Sequence, residues 1–249
     1  MKSLFPVVLI ALVLMWPAMA EANRPFLTDD SGVVEPQELE IQLWAELAPG
    51  SPDDTFAVAP LFNAQASVSP FESLEFSFGG GLGMGHDGAF TVVNPTLESK
   101  IELLEVGEGF VPGIGFVAGV LPRLGFGDAY ADETTVYAIV PATIEPTDRL
   151  EIHANAGWIT AIDDEGLQSG RPYWGLAAAI SPFCPCWAIA VEAVAGDPAE
   201  ADGPPIAGQL GLRWEPFEGA SFETGFIAEP GFEWMAHLGT TIVLDWSGH

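Results

Sequence analysis

Carboxylates, amides and basic groups recur two residues apart in this chain. Glu40 and Gln42 form one such set, Glu98, Lys100 and Glu102 a second, and Glu151, His153 and Asn155 a third. In a strand this spacing puts every member of a set on one face. Side chains so placed can pair as ions, share hydrogen bonds or line a wet passage. Catalysis asks for more. His153 and Asn155 share a face, but no Ser stands at a useful spacing on the same run, and His86 and His249 fall in a loop and at the tail. There is no phosphate-binding loop and no paired-cysteine metal motif. Cys184 and Cys186 are two ligands, too few for structural zinc, and read as turn residues, oxidised or free. Neither an enzyme nor a cofactor or metal is predicted.

The residues between the polar ones are apolar. Leu39-Glu40-Ile41-Gln42-Leu43, Leu74-Glu75-Phe76-Ser77-Phe78 and Leu150-Glu151-Ile152-His153-Ala154-Asn155 all alternate. A soluble sheet hides its apolar face in a core, and this chain offers hardly any helix to cover one. A closed barrel standing in lipid satisfies both faces at once. The predicted fold is therefore all-β, a transmembrane antiparallel up-and-down β-barrel of about 12 strands. The strands are placed at 37–48, 55–68, 73–83, 91–105, 110–121, 134–144, 149–160, 172–181, 186–195, 205–215, 220–228 and 232–246. An even count puts both termini on the periplasmic side. Pro60, Pro112 and Pro141 fall inside these runs and call for bulges, because proline lacks a ladder donor and a closed barrel has no edge.

Parity assigns the faces. The inward set is Glu40, Gln42, Glu46, Glu75, Glu98, Lys100, Glu102, Glu151, His153, Asn155, Glu192, Gln209, Arg213, Glu223 and His237. Lys100 and Arg213 are expected to pair with some of the acids, and the remaining carboxylates would bias a wet interior toward cations. Inward Gly113, Gly115 and Gly119 suggest free space. Eight strands give a filled interior and 16 or more a channel, so an open lumen and a plugged one both remain open. Trp158, Trp174 and Trp234 fall near one end of the strands and Trp187, Trp214 and Trp246 near the other, as two interfacial belts would.

Connections differ at the two ends. Ser69-Pro70-Phe71-Glu72, Glu145-Pro146-Thr147-Asp148 and Glu215-Pro216-Phe217-Glu218 repeat one turn form, and Ser181-Pro182-Phe183-Cys184 matches it in part. Proline presets the turn and the acid or hydroxyl caps it. The other connections are longer and rich in Gly, Asp and Pro, the outer-membrane pattern of short periplasmic turns and long outer loops.

Residues 1–20 read as a cleaved signal peptide: Lys2, an apolar stretch from Leu4 to Trp16, then Ala18-Met19-Ala20. Residues 21–36 would be a periplasmic N-terminal segment and 37–249 the barrel, in the cell outer membrane of a Gram-negative envelope. Composition agrees, at 49% hydrophobic and only 17% charged. Removing residues 1–20 leaves 35 acids against six bases, a net charge of −29. Such a field repels nucleic acid and anionic ligands and favours cations or neutral solutes. It also suits a salty environment that screens self-repulsion. The partners expected are outer-membrane lipid, a small-molecule solute and the barrel-assembly machinery. A structural or adhesive barrel with a closed lumen, or a soluble β-sandwich or lipocalin-like binder, are the competing readings.

Arg24-Pro25-Phe26-Leu27-Thr28-Asp29-Asp30-Ser31-Gly32-Val33-Val34-Glu35-Pro36, running into Glu38-Leu39-Glu40, resembles the opening of outer-membrane transporter-like barrels linked to the meta-cleavage (MetA) pathway of phenol degradation. Arg-Pro, Thr-Asp-Asp and the Glu-rich first strand carry the likeness. It implies an outer-membrane channel for hydrophobic or aromatic solutes. Two departures stand out: Gln37 occupies a position where glycine is common, and Trp246 is followed by Ser247-Gly248-His249 with no terminal aromatic, the usual barrel-assembly signal. Read from its own residues, Thr28, Asp29 and Asp30 can form turn hydrogen bonds, and Arg24 can pair with an aspartate or a lumenal acid. The segment is expected to tuck against the periplasmic mouth or enter it, or else to be a mobile leader.

Overall fold

The computed structural model describes residues 28–49, 58–84, 89–127, 132–168, 170–196, 206–228 and 234–246. The signal-peptide prediction, Arg24, His86 and His249 lie outside the described residues. Every element is a strand: β1 (Glu38–Pro49), β2 (Val58–Phe71), β3 (Leu74–Met84), β4 (Phe90–Val92), β5 (Thr96–Leu104), β6 (Gly109–Leu121), β7 (Thr134–Thr147), β8 (Leu150–Asp163), β9 (Gly166–Leu167), β10 (Arg171–Ile180), β11 (Trp187–Ala195), β12 (Ala207–Phe217), β13 (Ala220–Ala228) and β14 (Trp234–Asp245). β4 and β9 are short additions. The other twelve form the wall, each antiparallel to the next. β14 pairs with β1 from Glu38 opposite Asp245 to Leu47 opposite Ala236, which closes the ring. The predicted closed twelve-stranded barrel is the observed architecture, and both ends of the ring-forming chain meet where the Trp246 N–H donates to the Gln37 carbonyl at 3.0 Å.

Proline explains most of the local irregularity. Pro70, Pro146 and Pro216 each sit inside a register shift, between Val68 and Phe71, Ile144 and Thr147, and Trp214 and Phe217. The repeated turn form is thus a repeated bulge that places a residue without an N–H where the ladder is already broken. Pro112 lies in the shift between Gly109 and Gly113. Pro141 keeps its register with β8, opposite Asn155, while the pairs of β7 with β6 run from Ala142 to Ile139 across it. Pro60 faces Leu47 one residue before pairing with β3 begins at Leu61. The run 91–105, expected as one strand, is instead β4 and β5. Asn94 and Pro95 separate them, and the Asn94 side chain accepts the N–H groups of Leu124 (3.1 Å) and Gly125 (2.9 Å) from the next loop.

Burial alternates along the wall. In β12, Ala207, Gln209, Gly211 and Arg213 are buried while Gly208, Leu210, Leu212 and Trp214 are exposed. No described element covers the outer face, where Phe62, Phe78, Leu82, Leu210 and Leu238 are all more than half exposed. A soluble monomer rarely shows so wide an apolar band. The six tryptophans assigned to the strand ends point outward. Trp187 stacks on Trp214 at 5.6 Å at the short-turn end, and Trp234 stacks on Phe226 at 5.9 Å at the other.

Inside the ring lies a strap, residues 28–36. It joins β1 through Gln37, whose φ of +74° turns the chain from the interior into the wall. That region suits glycine and costs other residues about 1 kcal/mol or more. Gln37→Gly is therefore expected to raise stability by about 0.5–1 kcal/mol, read from the urea midpoint of the folded barrel in lipid vesicles. A lower midpoint would mean that the Gln37 side chain itself holds the bend.

Candidate functional site: the barrel interior

The strap is held mainly through its backbone. The N–H of Thr28 donates to Glu192 on β11, that of Ser31 to Thr143 Oγ1 on β7 at 3.0 Å, and that of Val34 to Glu75 Oε2 on β3 at 2.9 Å. These strands lie three apart around a ring of twelve, so every third strap residue reaches a wall a quarter-turn further on. The strap thus crosses from the β3 side to the opposite β11 side. Its two acids anchor it: Lys100 Nζ on β5 lies 2.9 Å from Asp29 Oδ1 and 2.7 Å from Asp30 Oδ1. The sequence suggested that Thr28, Asp29 and Asp30 would cap a turn of their own; the two aspartates instead reach across to an ammonium.

The inward glycines do not leave empty space. A Cβ at Gly113 would collide with Ser31 Oγ, one at Gly175 with Thr28 Oγ1, and one at Gly115 would stand 3.1 Å from the Ser31 carbonyl oxygen. Gly119 makes room for the Tyr137 ring. These glycines shape a groove for the strap and a bed for one aromatic ring.

The sequence-assigned polar residues fall as follows. Glu40, Gln42, Glu75, Lys100, His153, Asn155, Gln209, Arg213 and Glu223 are buried, and Glu98, Glu102, Glu151 and His237 are half-buried. Several come together. Gln42 Nε2 donates to Glu40 Oε1 at 2.6 Å. Ser77 Oγ donates to Glu75 Oε1 at 2.9 Å and meets Ser67 Oγ at 2.7 Å. Glu223 receives the hydroxyls of Ser221 and Thr241. Tyr137 donates to Glu98 Oε2 at 2.6 Å. Near the short-turn end, Arg213 lies 2.9 Å from Glu215 and 3.9 Å from Glu151, which lies 3.7 Å from His153. His153 Nδ1 in turn meets Thr143 Oγ1 at 3.0 Å, the atom that holds Ser31. Arg213 is thus joined to the strap through a chain of polar contacts. Cys184 and Cys186 form a disulfide in the turn between β10 and β11.

Two features of the interior were missed. One is an apolar sector: Val117, Ile139, Ile159, Tyr173, Val194 and Ile227 are all inward and at most 6% exposed. The signal was the pair of consecutive apolar faces in 110–121 and 134–144, which parity alone cannot rank. The other is Trp44, the tryptophan outside the two belts. It shares the inner face of β1, and its Nε1–H donates to Glu46 Oε1 at 2.6 Å. Its even numbering beside Gln42 and Glu46 already placed it there.

No family model matches this chain, and no curated protein matches it. Among solved structures it is similar in fold to a KdgM porin, at 9% identity and a TM-score of 0.58, covering 82% of this chain and 98% of the porin. It is likewise similar to the COG4313 outer membrane channel from Pseudomonas putida F1, at 10% identity and a TM-score of 0.60, covering 86% of this chain and 98% of that one. At these identities the likeness is one of fold, that of outer-membrane β-barrel channels.

Proposed function

We propose that this chain is an outer-membrane channel that passively admits small solutes, favouring neutral, hydrophobic or aromatic molecules and cations over anions. One observation carries the reading. A closed ring bears an uncovered apolar outer face and an inner face rich in carboxylates, which is what a barrel in lipid around a polar interior requires. Export would follow cleavage of residues 1–20, and insertion would use the barrel-assembly machinery. The resemblance of residues 24–40 to barrels linked to the MetA pathway of phenol degradation supports aromatic solutes. The excess of acids inside supports cation preference.

A second reading, a closed structural barrel, is favoured by the strap, since Thr28 and Ser31 are 1% and 0% exposed in mid-lumen. Single-channel recording in planar bilayers separates the two. The channel reading expects discrete conductance steps and a reversal potential on the cation side in a salt gradient. Glu98→Gln with Glu151→Gln is expected to move that potential toward zero. A folded, silent barrel would defeat transport, and an unmoved potential would count against a wet, acidic interior.

A further inference from the structure

The middle of the ring is shut. At the level of the strap, Gln42 on β1, Ser67 on β2, Glu75 on β3, Thr143 on β7, Glu192 on β11 and Thr241 on β14 are each at most 7% exposed. Pro36 of the strap bridges to Ser69 on β2, so the cover reaches that side too. The wall does not fill this space by itself. Eight strands are about filled by their own inward side chains, and twelve enclose more. The inward residues here are also short. Ser67, Ser69, Ser77 and Ala177 are at most 5% exposed, and Gly113, Gly115 and Gly175 give their room to the strap. Small side chains buried inside a wide ring need a filler, and the strap is the described segment that supplies one.

The strap is also built to leave. Among the described residues it joins the wall covalently at one end, through the bend at Gln37 beside the short-turn end. It adds no strand to the ring, and single hydrogen bonds and the Lys100 ion pairs hold it. Its seat is imperfect. Thr28 Oγ1 and Ser31 Oγ are buried with no hydrogen-bond partner among the described residues. Burying a hydroxyl unpaired works against the seated state, and water would satisfy both once the strap withdrew. The Lys100 pairs therefore decide whether it stays.

We propose that the strap is the gate of the channel: solutes pass only when residues 28–36 swing out about Gln37, Lys100 is the latch, and Glu192 selects cations once the gate is open. This deepens the channel reading and rests on it. Withdrawal removes Asp29 and Asp30 from Lys100, which then faces Glu75, its direct partner in the register of β3 and β5. Those two charges offset each other. Glu192 stands across the ring on β11, where it accepts the Thr28 N–H in the seated state. A carboxylate released from its donor draws a cation in its place. One side chain thus helps to hold the gate shut and, when it opens, chooses what enters.

The test uses the full-length barrel in planar bilayers. Its native cysteines are joined to each other, and no free cysteine occurs among the described residues. A Cβ at Gly175 would stand 3.3 Å from Thr28 Cβ, close to the span of about 3.5–4.5 Å that a disulfide bridges. Thr28→Cys with Gly175→Cys therefore locks the strap by oxidation, and Ser31→Cys with Gly113→Cys is a second lock should the first not fold. Wild type taken through the same reductant controls for the native disulfide. Locking is expected to lower the open probability at least about tenfold, and reduction to restore it. Lys100→Met is expected to raise the open probability at least about threefold. Glu192→Gln should raise it as well and about halve the cation-to-anion permeability ratio of the open level. A barrel with the new disulfide verified that conducts equally when oxidised and reduced overturns the gate while leaving the channel intact. An unmoved reversal potential in Glu192→Gln overturns its part in selection. A barrel that is folded but silent in wild type, in the reduced double-cysteine form and in Lys100→Met overturns both gate and channel.

Discussion

Lys100→Met is expected to release the strap and cost the folded barrel about 3–5 kcal/mol, the range for removing one partner of a buried ion pair. The ammonium is 1% exposed and sits within 3 Å of Asp29 and Asp30, whose side chains keep 23% and 20% exposure. Without it, two carboxylates lose the ammonium that both contact, and Glu75 stands nearby holding Val34. The strap can relieve this by leaving, because its other holds are single hydrogen bonds worth about 1–3 kcal/mol each. The variant should therefore show both a lower urea midpoint in vesicles and new protease cleavage within residues 28–36. Asp29→Asn with Asp30→Asn strands the ammonium instead and should cost a similar amount. The triple variant, Lys100→Met, Asp29→Asn and Asp30→Asn, should cost much less than the sum of the two. Additive costs would show that the ion pairs do not act as one anchor.

The second large effect belongs to the outer face. Val191 is the midpoint of β11, 51% exposed, with Trp187 marking the short-turn end of the same strand. Val191→Arg is expected to cost about 2–4 kcal/mol in lipid vesicles, the depth-dependent penalty for a cation at the bilayer midplane. Leu167→Arg, in the β9 hairpin at the far end and 73% exposed, should change stability by less than about 0.5 kcal/mol. Both positions would face water in a soluble protein, so a soluble barrel would tolerate both. Equal tolerance would remove the membrane assignment, whatever the fold.

The wall was legible because its physics is local. Leu150 to Asn155 alternates, and a strand with one face in lipid has a period of two. The ends were legible where proline announced them, at Pro70, Pro146 and Pro216, but the extent was not: β2 and β12 run through these prolines to Phe71 and Phe217. A sequence shows that a residue lacks an N–H, not that the neighbouring strand has already stopped needing one. The split of 91–105 had its signal in Asn94-Pro95, outweighed by the alternation of Leu97 to Ile101. The interior was less legible. That Glu75, Lys100 and Glu192 face inward follows from parity, yet their partners are strap atoms 41 to 164 positions away in sequence; two of those atoms are backbone N–H groups, and a third strap N–H, that of Ser31, goes to Thr143. Every non-proline residue carries such a donor, so nothing in the residue types marks Thr28, Ser31 and Val34. Gly113 and Gly115 were read as emptiness because a glycine shows what it lacks and not what comes to occupy the room.

The strap runs straight into β1, and β1 finds its second neighbour only in β14, the last of the described strands. The ring can therefore be sealed only after residue 245 has been synthesised and delivered. The seam that joins β1 to β14 also closes the ring around the segment that fills the middle. A polypeptide lacking the twelve residues of β14 would leave β1 and β13 as open edges on either side of the strap.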